Sequence, residues 1–273
     1  MDLEIKEEQQ PKEVYDESPS LTKALIGFVT GFVGYMYLLP MAILMILMVV
    51  LGLDLKNADP ATQNYYSLLS QVIAGAICLA CMIFVISKDK IGNILKNFNT
   101  ESLRLGITYF IASYGLAVVW NIISTLIWGP VSDNANQESI NIMMKQSPLL
   151  TISLTCIVAP LIEEFIFRYY MYKGLETKFK PVVAIALTAF LFAFIHMFAS
   201  IQSGTFVEDL KTLPGYLLPS LVFTYAYYKH QKFAIPYIAH LSNNVFATIM
   251  FFIASNSGEI SSTTETIFKC LIG

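Results

Sequence analysis

Residues 24–53 read ALIGFVTGFVGYMYLLPMAILMILMVVLGL and contain no charged side chain. A helix needs about 20 such residues to cross the hydrocarbon core of a bilayer, so this stretch alone indicates a membrane-spanning helix. Four further uncharged stretches are long enough to span, and two are shorter: residues 60–87, 105–132, 181–207 and 233–258, then 146–162 and 212–228. The sequence therefore predicts an all-α protein, a polytopic transmembrane helical bundle of about seven spans.

The composition indicates the same fold class. Charged residues make up 14% of the chain, whereas a soluble domain carries about 25%, and the mean hydropathy is +0.59. The net charge of −3 and the pI near 5.6 offer no basic surface to a phosphate backbone. We therefore expect the lipid bilayer as a partner and no nucleic acid.

The predicted spans form one bundle between two polar tails. Residues 1–20 hold seven carboxylates and two lysines, which predict an acidic, disordered cytoplasmic tail. Residues 21–258 form the transmembrane bundle, and residues 259–273 a short C-terminal tail. An eighth span is the alternative, and the weak point of the count is 129–147, where Pro130 and the mixed polarity are also compatible with an interfacial helix. The predicted spans are about 24–52, 65–87, 104–128, 148–172, 181–200, 213–229 and 234–254.

The distribution of basic residues predicts the orientation, because Lys and Arg concentrate on the cytoplasmic side of a membrane protein. With the N-terminus inside, thirteen basic residues fall on the cytoplasmic side and four on the other, namely Lys56, Lys145, Lys211 and Lys269. We therefore predict an integral, multi-pass membrane protein with a cytoplasmic N-terminus and an external C-terminus. The chain length, the Lys usage and the short acidic tail favour a bacterial plasma membrane.

Three predicted spans carry polar groups that are costly inside a bilayer and by default mark function. They are PLIEEFIFR at 160–168, FAFIH at 192–196 and HLSNN at 240–244. Taken singly, a membrane Glu–Arg pair is more often structural, and a lone histidine is as often a packing residue as a functional one. Three such groups in one small bundle favour a functional site. The side chains concerned are Glu163, Glu164, Arg168, His196, His240 and Asn244.

Helical spacing separates the roles of these side chains. Glu164 and Arg168 are four residues apart and can pair along one face, which leaves Glu163, about 100° around the helix, to face another helix. His240 and Asn244 also lie four residues apart and point the same way. One free carboxylate, two imidazoles and one carboxamide suit general-base catalysis on a water, with separate donors for an oxyanion.

The three motifs resemble those of the CPBP intramembrane proteases. They read EExxxR at 163–168, FxxxH at 192–196 and HxxxN at 240–244, and they occur in the order of that family. The family includes the eukaryotic CAAX prenyl endopeptidase that trims Ras. It also includes bacterial members, the Abi group, that are linked to bacteriocin processing and self-immunity. The resemblance covers about residues 105–255, the protease-like core, and implies a glutamate-dependent intramembrane endopeptidase.

The resemblance also implies a role for each motif position. Glu163 is implied as the general base, and His196 as the residue that helps it to hold and activate water. His240 and Asn244 are implied to stabilise the oxyanion of the tetrahedral intermediate. The implied supporting residues are Glu164, Arg168 and Phe192, the last of these as a packing neighbour of His196.

We expect no cofactor. The more recent view of the family is a mechanism without an essential metal, and the chain has neither an HExxH zinc motif nor a GxSxG nucleophile. Zinc is the alternative, because one Glu and two His leave an open coordination position. Its ligands would then be Glu163, His196 and His240.

Two other functions are compatible with these residues. One is a catalytically idle bacteriocin-immunity or regulatory protein of the same fold, and the other is a transporter that uses the Glu/His set as a proton relay. The intact set of four groups favours the protease over the first, and the sequence shows no inverted repeat of the kind that many transporters carry. The expected substrate is a peptide precursor or a membrane-associated protein. A CAAX box is disfavoured, because bacteria generally do not prenylate proteins.

The depth of the site follows from counting about 1.5 Å per residue. On this count Glu163 lies about 15 Å, and His240 about 9 Å, from the inner ends of their predicted spans. His196 lies about 22 Å from the inner end of the fifth span, so that span has to start deeper or tilt. The expected site is therefore between the cytoplasmic half of the membrane and its midplane.

Overall fold

The computed structural model describes residues 19–85, 94–130 and 132–256. All regular structure in these ranges is helical. The predicted tails at 1–20 and 259–273 lie outside the described residues, apart from residues 19 and 20. The end of the second predicted span, at 86–87, also lies outside them.

The helices follow one another along the chain, and one of the described connections contains a 3₁₀ turn at Leu210–Thr212. They are α1 (Leu21–Leu51), α2 (Pro60–Val85), α3 (Thr100–Trp128), α4 (Ala135–Gln146), α5 (Pro148–Glu176), α6 (Pro181–His196), α7 (Phe198–Ser203), α8 (Phe206–Asp209), α9 (Leu213–His230) and α10 (Ala234–Asn256).

Six of the described helical segments are long and apolar enough to cross a membrane: α1, α2, α3, α5, α10, and α6 together with α7. The predicted sixth span corresponds to α9, which packs against α3, α6 and α10. Because α9 is enclosed by other helices, it buries Ser220 and Thr224 and does not have to be apolar. The fold is thus a polytopic all-α bundle, as predicted, with about seven spans when α9 is counted. The segment 129–147, where the sequence left room for an interfacial helix, contains α4.

Polar caps move the starts of two helices several residues ahead of their predicted positions. Asp59 accepts hydrogen bonds from two backbone N–H groups, each at 3.0 Å, so that α2 begins at residue 60. Asn99 accepts from the N–H of Ser102 at 3.0 Å, so that α3 begins at residue 100. The uncharged stretch at 60–87 already begins at the first residue of α2, but the predicted spans, which follow apolar residues, omit both of these polar first turns.

Three segments widen into π-helical geometry, in which hydrogen bonds span five residues instead of four. Gly34–Leu38 lies in α1, while Ser153–Val158 and Phe165–Tyr172 lie in α5. The first two end just before a turn that contains a proline, Pro40 and Pro160 respectively. Proline lacks an N–H and its ring crowds the preceding turn, so a wider turn at these places accommodates it within a continuous helix.

The helices α1 and α5 approach each other closely where Gly174 faces Ala24. A Cβ atom added to Gly174 would lie 2.1 Å from the Cβ of Ala24, and Ala24 is fully buried. The contact joins the beginning of α1 to the end of α5, and a glycine is required for this approach.

We expect Gly174→Ala to lower the free energy of unfolding by about 1–3 kcal/mol, the usual cost of overpacking, because the methyl group of Ala24 cannot rotate away. Gly115→Ala in α3 is the matched control, since its added Cβ would meet nothing within 4 Å. Thermal unfolding of both variants in detergent tests this expectation. Equal loss of stability in the two variants would contradict it.

Candidate active site

The EExxxR motif of α5 lies where the helix changes geometry. Ala159–Glu164 is a short α-helical stretch, and the π-helical segment Phe165–Tyr172 follows it directly. Glu164 and Arg168 are fully buried, whereas Glu163 is 7% exposed. Of the two adjacent glutamates, Glu163 is therefore the one that solvent or substrate can reach.

The predicted ion pair of Glu164 and Arg168 is present. Nη1 of Arg168 lies 3.0 Å from Oε1 of Glu164, and Nη2 donates a hydrogen bond of 3.2 Å to Oγ of Ser220 in α9. The guanidinium carbon lies 4.9 Å from the ring centroid of Phe192 and 5.8 Å from that of Phe223. The carboxylate, the hydroxyl and the two ring faces offset part of the cost of burying this cation, while Nε and Nη1 of Arg168 and Oε2 of Glu164 are buried without a hydrogen bond.

His240 of α10 contacts both glutamates. Its Nδ1 lies 2.8 Å from Oε1 of Glu164, and its Nε2 lies 3.7 Å from Oε2 of Glu163. Because Glu164 is paired with Arg168 and accepts hydrogen bonds, we assign a proton to Nδ1 of His240. Glu164 thus orients the imidazole and directs Nε2 toward Glu163, at a distance too long for a direct hydrogen bond.

His196 is the last residue of α6. Its Nδ1 lies 2.7 Å from the carbonyl oxygen of Phe192, and since a carbonyl only accepts, Nδ1 carries the proton and Nε2 is the free nitrogen of the neutral ring. The ring stacks on Tyr216 of α9, with 4.6 Å between centroids and 24° between planes. The orientation of His196 is therefore fixed by its own helix and by α9.

Phe192 is the packing neighbour that the sequence predicted, and it contacts more of the site than His196 alone. Its ring centroid lies 4.5 Å from that of His196 and 5.7 Å from that of His240. The same ring supports the guanidinium of Arg168. One aromatic side chain thus packs against polar residues from α5, α6 and α10.

Asn244 of α10 forms a hydrogen bond to the π-helical segment of α5. Its Nδ2 donates a hydrogen bond of 2.7 Å to the carbonyl oxygen of Thr155. In the π-helical segment the N–H of Ala159 bonds to the carbonyl of Leu154 instead, and the donor five residues after Thr155 would be Pro160, which has no N–H. The carbonyl of Thr155 is therefore left to Asn244, and the second hydrogen of Nδ2 is left for a ligand.

One cavity of about 770 Å³ is lined by side chains of all three sequence motifs. Its walls include Glu163, His196, His240 and Asn244, whereas Glu164 and Arg168 are not among its lining residues. The volume falls within the range of about 300–1,000 Å³ that small-molecule sites occupy. The structure thus brings four of the sequence-predicted residues to one cavity and buries the other two outside its lining.

Sequence reasoning missed four residues that hold this arrangement in place: Thr155, Tyr216, Ser220 and Phe223. Thr155 had a signal, since a proline five residues later leaves its carbonyl without a donor in a π-helical turn. The other three lie in α9, in a stretch of ordinary aromatic and small residues that contains no motif.

The zinc alternative is not matched by the arrangement of side chains. Among the described residues, no three His, Cys, Asp or Glu side chains lie close enough together to hold a metal ion. The candidate set of Glu163, His196 and His240 therefore does not form a ligand cluster here, and the mechanism below uses no metal.

One family model matches the part of the chain that carries this site. Residues 145–246 match the sequence model of the family described as type II CAAX prenyl endopeptidase Rce1-like. That segment contains Glu163, His196, His240 and Asn244, the four residues that line the cavity. The family resemblance drawn from the three motifs is therefore confirmed, and at the level of that family the chain is related to membrane-embedded peptidases.

The chain is also similar to individual proteins, two of which are named as membrane peptidases or proteases. The chain is 26% identical to YdiL of Bacillus subtilis, which is named as a candidate membrane peptidase. The alignment spans 186 residues, 67% of this chain and 71% of YdiL. It is 27% identical to the membrane-embedded CAAX protease MroQ of Staphylococcus aureus. This alignment spans 154 residues, 54% of this chain and 57% of MroQ. YxdF of Lactococcus lactis is 28% identical over 196 residues, 70% of this chain and 96% of YxdF. No solved structure matches the chain.

Proposed function

We propose that this protein is an intramembrane endopeptidase that hydrolyses a peptide bond in a peptide precursor or a membrane-associated protein. The observation that carries the proposal is the separation of the two glutamates. Glu163 lines the cavity together with His196, His240 and Asn244, while Glu164 is buried against Arg168. One carboxylate is thus free for chemistry, and its neighbour is committed to holding the site.

Glu163 is the general base of the proposed reaction. Its carboxylate takes a proton from a water in the cavity, and the hydroxide adds to the carbonyl carbon of the scissile bond. The C–N bond then breaks as the proton passes from Glu163 to the leaving amine. His196, whose free Nε2 is a hydrogen-bond acceptor, helps to hold the attacking water.

His240 and Asn244 stabilise the oxyanion that forms on the carbonyl oxygen. The second hydrogen of Nδ2 of Asn244 is not used by Thr155 and is a donor for this oxygen. His240 donates from Nε2 when that atom carries a proton. Donors that are fixed before the reaction starts stabilise developing charge most effectively, and Thr155 and Glu164 fix these two.

A cleavage assay tests the proposal directly. The purified protein, reconstituted in liposomes, is incubated with a library of unmodified peptides, and new termini are located by mass spectrometry. We expect the intact protein to cleave a subset of the library and the Glu163→Gln variant, prepared identically, to leave the same peptides intact. Equal products from both proteins would contradict the assignment of Glu163 as the base.

We expect activity to survive removal of metal. Glu163 and Asn244 supply a base and a donor without a Lewis acid, so treatment with a chelator should leave the rate of peptide cleavage unchanged. The purified protein should also hold less than one zinc per chain, measured by elemental analysis. Loss of cleavage on chelation, restored by added zinc, would make Glu163, His196 and His240 the ligands and would overturn the metal-free reaction.

We further propose a bacterial plasma membrane as the location, with the N-terminus in the cytoplasm. The support is the excess of basic residues on one side of the predicted spans, together with relatives from Bacillus, Staphylococcus and Lactococcus.

A further inference from the structure

The bundle has two ends that can be told apart by contacts between helices. At one end the beginning of α1 packs on the end of α5, where Ala24 faces Gly174; we call this the basic end. At the other, Asn64 at the start of α2 donates a hydrogen bond of 2.8 Å to Gln146 at the end of α4; we call this the amide end. Trp120, on the second half of α3, also bonds to the carbonyl of Lys211 there.

Positive charge is distributed unequally between these ends. Among the described residues, three basic side chains lie at the amide end: Lys56, Lys145 and Lys211. Eight lie at the basic end: Lys23, Lys96, Arg104, Lys173, Lys178, Lys180, Lys229 and Lys232. Because basic residues concentrate on the cytoplasmic side, this distribution puts the basic end in the cytoplasm and the amide end outside the cell.

The cavity reaches only one of the two ends. Of the described residues, its lining includes none of α5 beyond Glu163, none of α6 before Phe192 and none of α9 beyond Phe223. These three limits close it toward the basic end. In the opposite direction it continues to Gln137 of α4 and Gly215 of α9, so the catalytic side chains form its floor and the amide end forms its mouth.

A hydrogen-bonded collar surrounds this mouth. Tyr216, whose ring stacks on His196, donates from its hydroxyl to Oδ1 of Asn134 and accepts from Nδ2 of Asn136, both at 3.2 Å. Asn134 also donates to Thr212 at 2.8 Å. Carboxamides and hydroxyls both donate and accept, as the main chain of an extended peptide requires; Asp133 and Lys211 add one charge of each sign to the lining at this end.

We propose that the active-site cavity opens to the extracytoplasmic side of the membrane and takes the peptide main chain of an exported substrate. This proposal rests on the proposed function for its chemistry, but the direction of the opening rests on charge and cavity shape alone. A segment that remains in the cytoplasm would have to pass the closed floor at Glu163 to reach the site. The sequence-based depth, which placed the site from the cytoplasmic half to the midplane, is thereby moved outward.

Cysteine labelling of spheroplasts with a membrane-impermeant maleimide tests the direction. Gly215→Cys reports on the cavity, because a Cβ at Gly215 meets nothing within 4 Å and the residue lines the mouth. Asp54→Cys reports on the connection between α1 and α2 at the amide end, and Lys178→Cys on the basic end; both positions are exposed. The chain with its native cysteines alone gives the background.

We expect the reagent to label the Asp54 and Gly215 variants in intact spheroplasts and the Lys178 variant only after permeabilisation. Labelling of the Lys178 variant in intact spheroplasts would overturn the orientation. Labelling of the Asp54 variant without the Gly215 variant would overturn the outward opening and leave a cavity that faces the bilayer. None of these outcomes depends on turnover, so a failed cleavage assay and a failed orientation are separate results.

A second experiment tests whether peptide cleavage takes place from the outside of the cell. Peptides that the purified protein cleaves are added outside intact spheroplasts that express either the wild-type chain or Glu163→Gln. We expect their cleavage by wild-type spheroplasts alone, without permeabilisation. Cleavage that requires permeabilisation would overturn the proposal even if the enzyme is active.

Discussion

Replacement of Glu163 by Gln is expected to reduce peptide turnover by about 10²–10⁴-fold, the usual contribution of a general base. Gln keeps the volume and a hydrogen-bonding oxygen of the side chain but cannot take a proton from water. The free energy of unfolding should change little, because Glu163 faces the cavity and its described ion-pair contact, with His240, is long at 3.7 Å. Initial rates on the best peptide of the library and melting temperatures measure both effects.

Glu138→Gln is the matched control for this loss. Glu138 is exposed in the first turn of α4, so the same change of one carboxylate to one carboxamide should leave both turnover and melting temperature near the wild-type values. A Glu163→Gln variant that keeps turnover within a few-fold of wild type would remove Glu163 from the chemistry.

Most of the architecture could be predicted because the bilayer imposes it. A long stretch of uncharged residues in a membrane has few alternatives to an α-helix, because every backbone polar group must form a hydrogen bond within the segment. The long apolar stretches therefore predicted the spans correctly. The polar starts of α2 and α3 were missed, because Asp59 and Asn99 cap turns that an apolar stretch does not include.

The pairing of Glu164 with Arg168 could be predicted because it is local. Both residues belong to one helix and lie four positions apart, a spacing that brings side chains together in any helix. The contact of Glu164 with His240 could not be predicted in the same way, because 76 residues separate them and the rotation of α10 against α5 is set by packing. Helical spacing fixes neighbours within an element and says nothing about which faces of two elements meet.

The link between Asn244 and Thr155 depends on a backbone irregularity that a regular helix would not contain. In an unbroken α-helix the carbonyl of Thr155 would accept from the N–H of Ala159, and Asn244 would find no free acceptor. Tyr216 is a similar case, because its contact with His196 follows from where α9 crosses α6. Helical spacing therefore predicted the pairing within α5 and the packing of Phe192 on His196, whereas Thr155 and Tyr216, which orient Asn244 and His196, required the structure.

Replacement of Glu164 by Gln is expected to destabilise the protein by about 3–5 kcal/mol, the usual cost of leaving one partner of a buried ion pair alone. Arg168 is fully buried and would keep only Ser220 and two aromatic faces as partners. Activity should fall as well, because Nδ1 of His240 would lose its carboxylate. The unfolding transition in detergent, compared with that of Glu163→Gln, measures the difference between the two glutamates.

A double variant separates the charge effect from the positioning effect. Arg168→Met combined with Glu164→Gln removes both charges and keeps a long side chain that can pack between the rings of Phe192 and Phe223. Because replacing a whole buried ion pair by apolar groups is often neutral, we expect the double variant to regain much of the stability that Glu164→Gln loses. Its turnover should stay low, since His240 still lacks the carboxylate that fixes its ring. Recovery of turnover together with stability would mean that Glu164 acts through the fold alone, and a stable, inactive Glu164→Gln beside an unstable Glu163→Gln would reverse the two assignments.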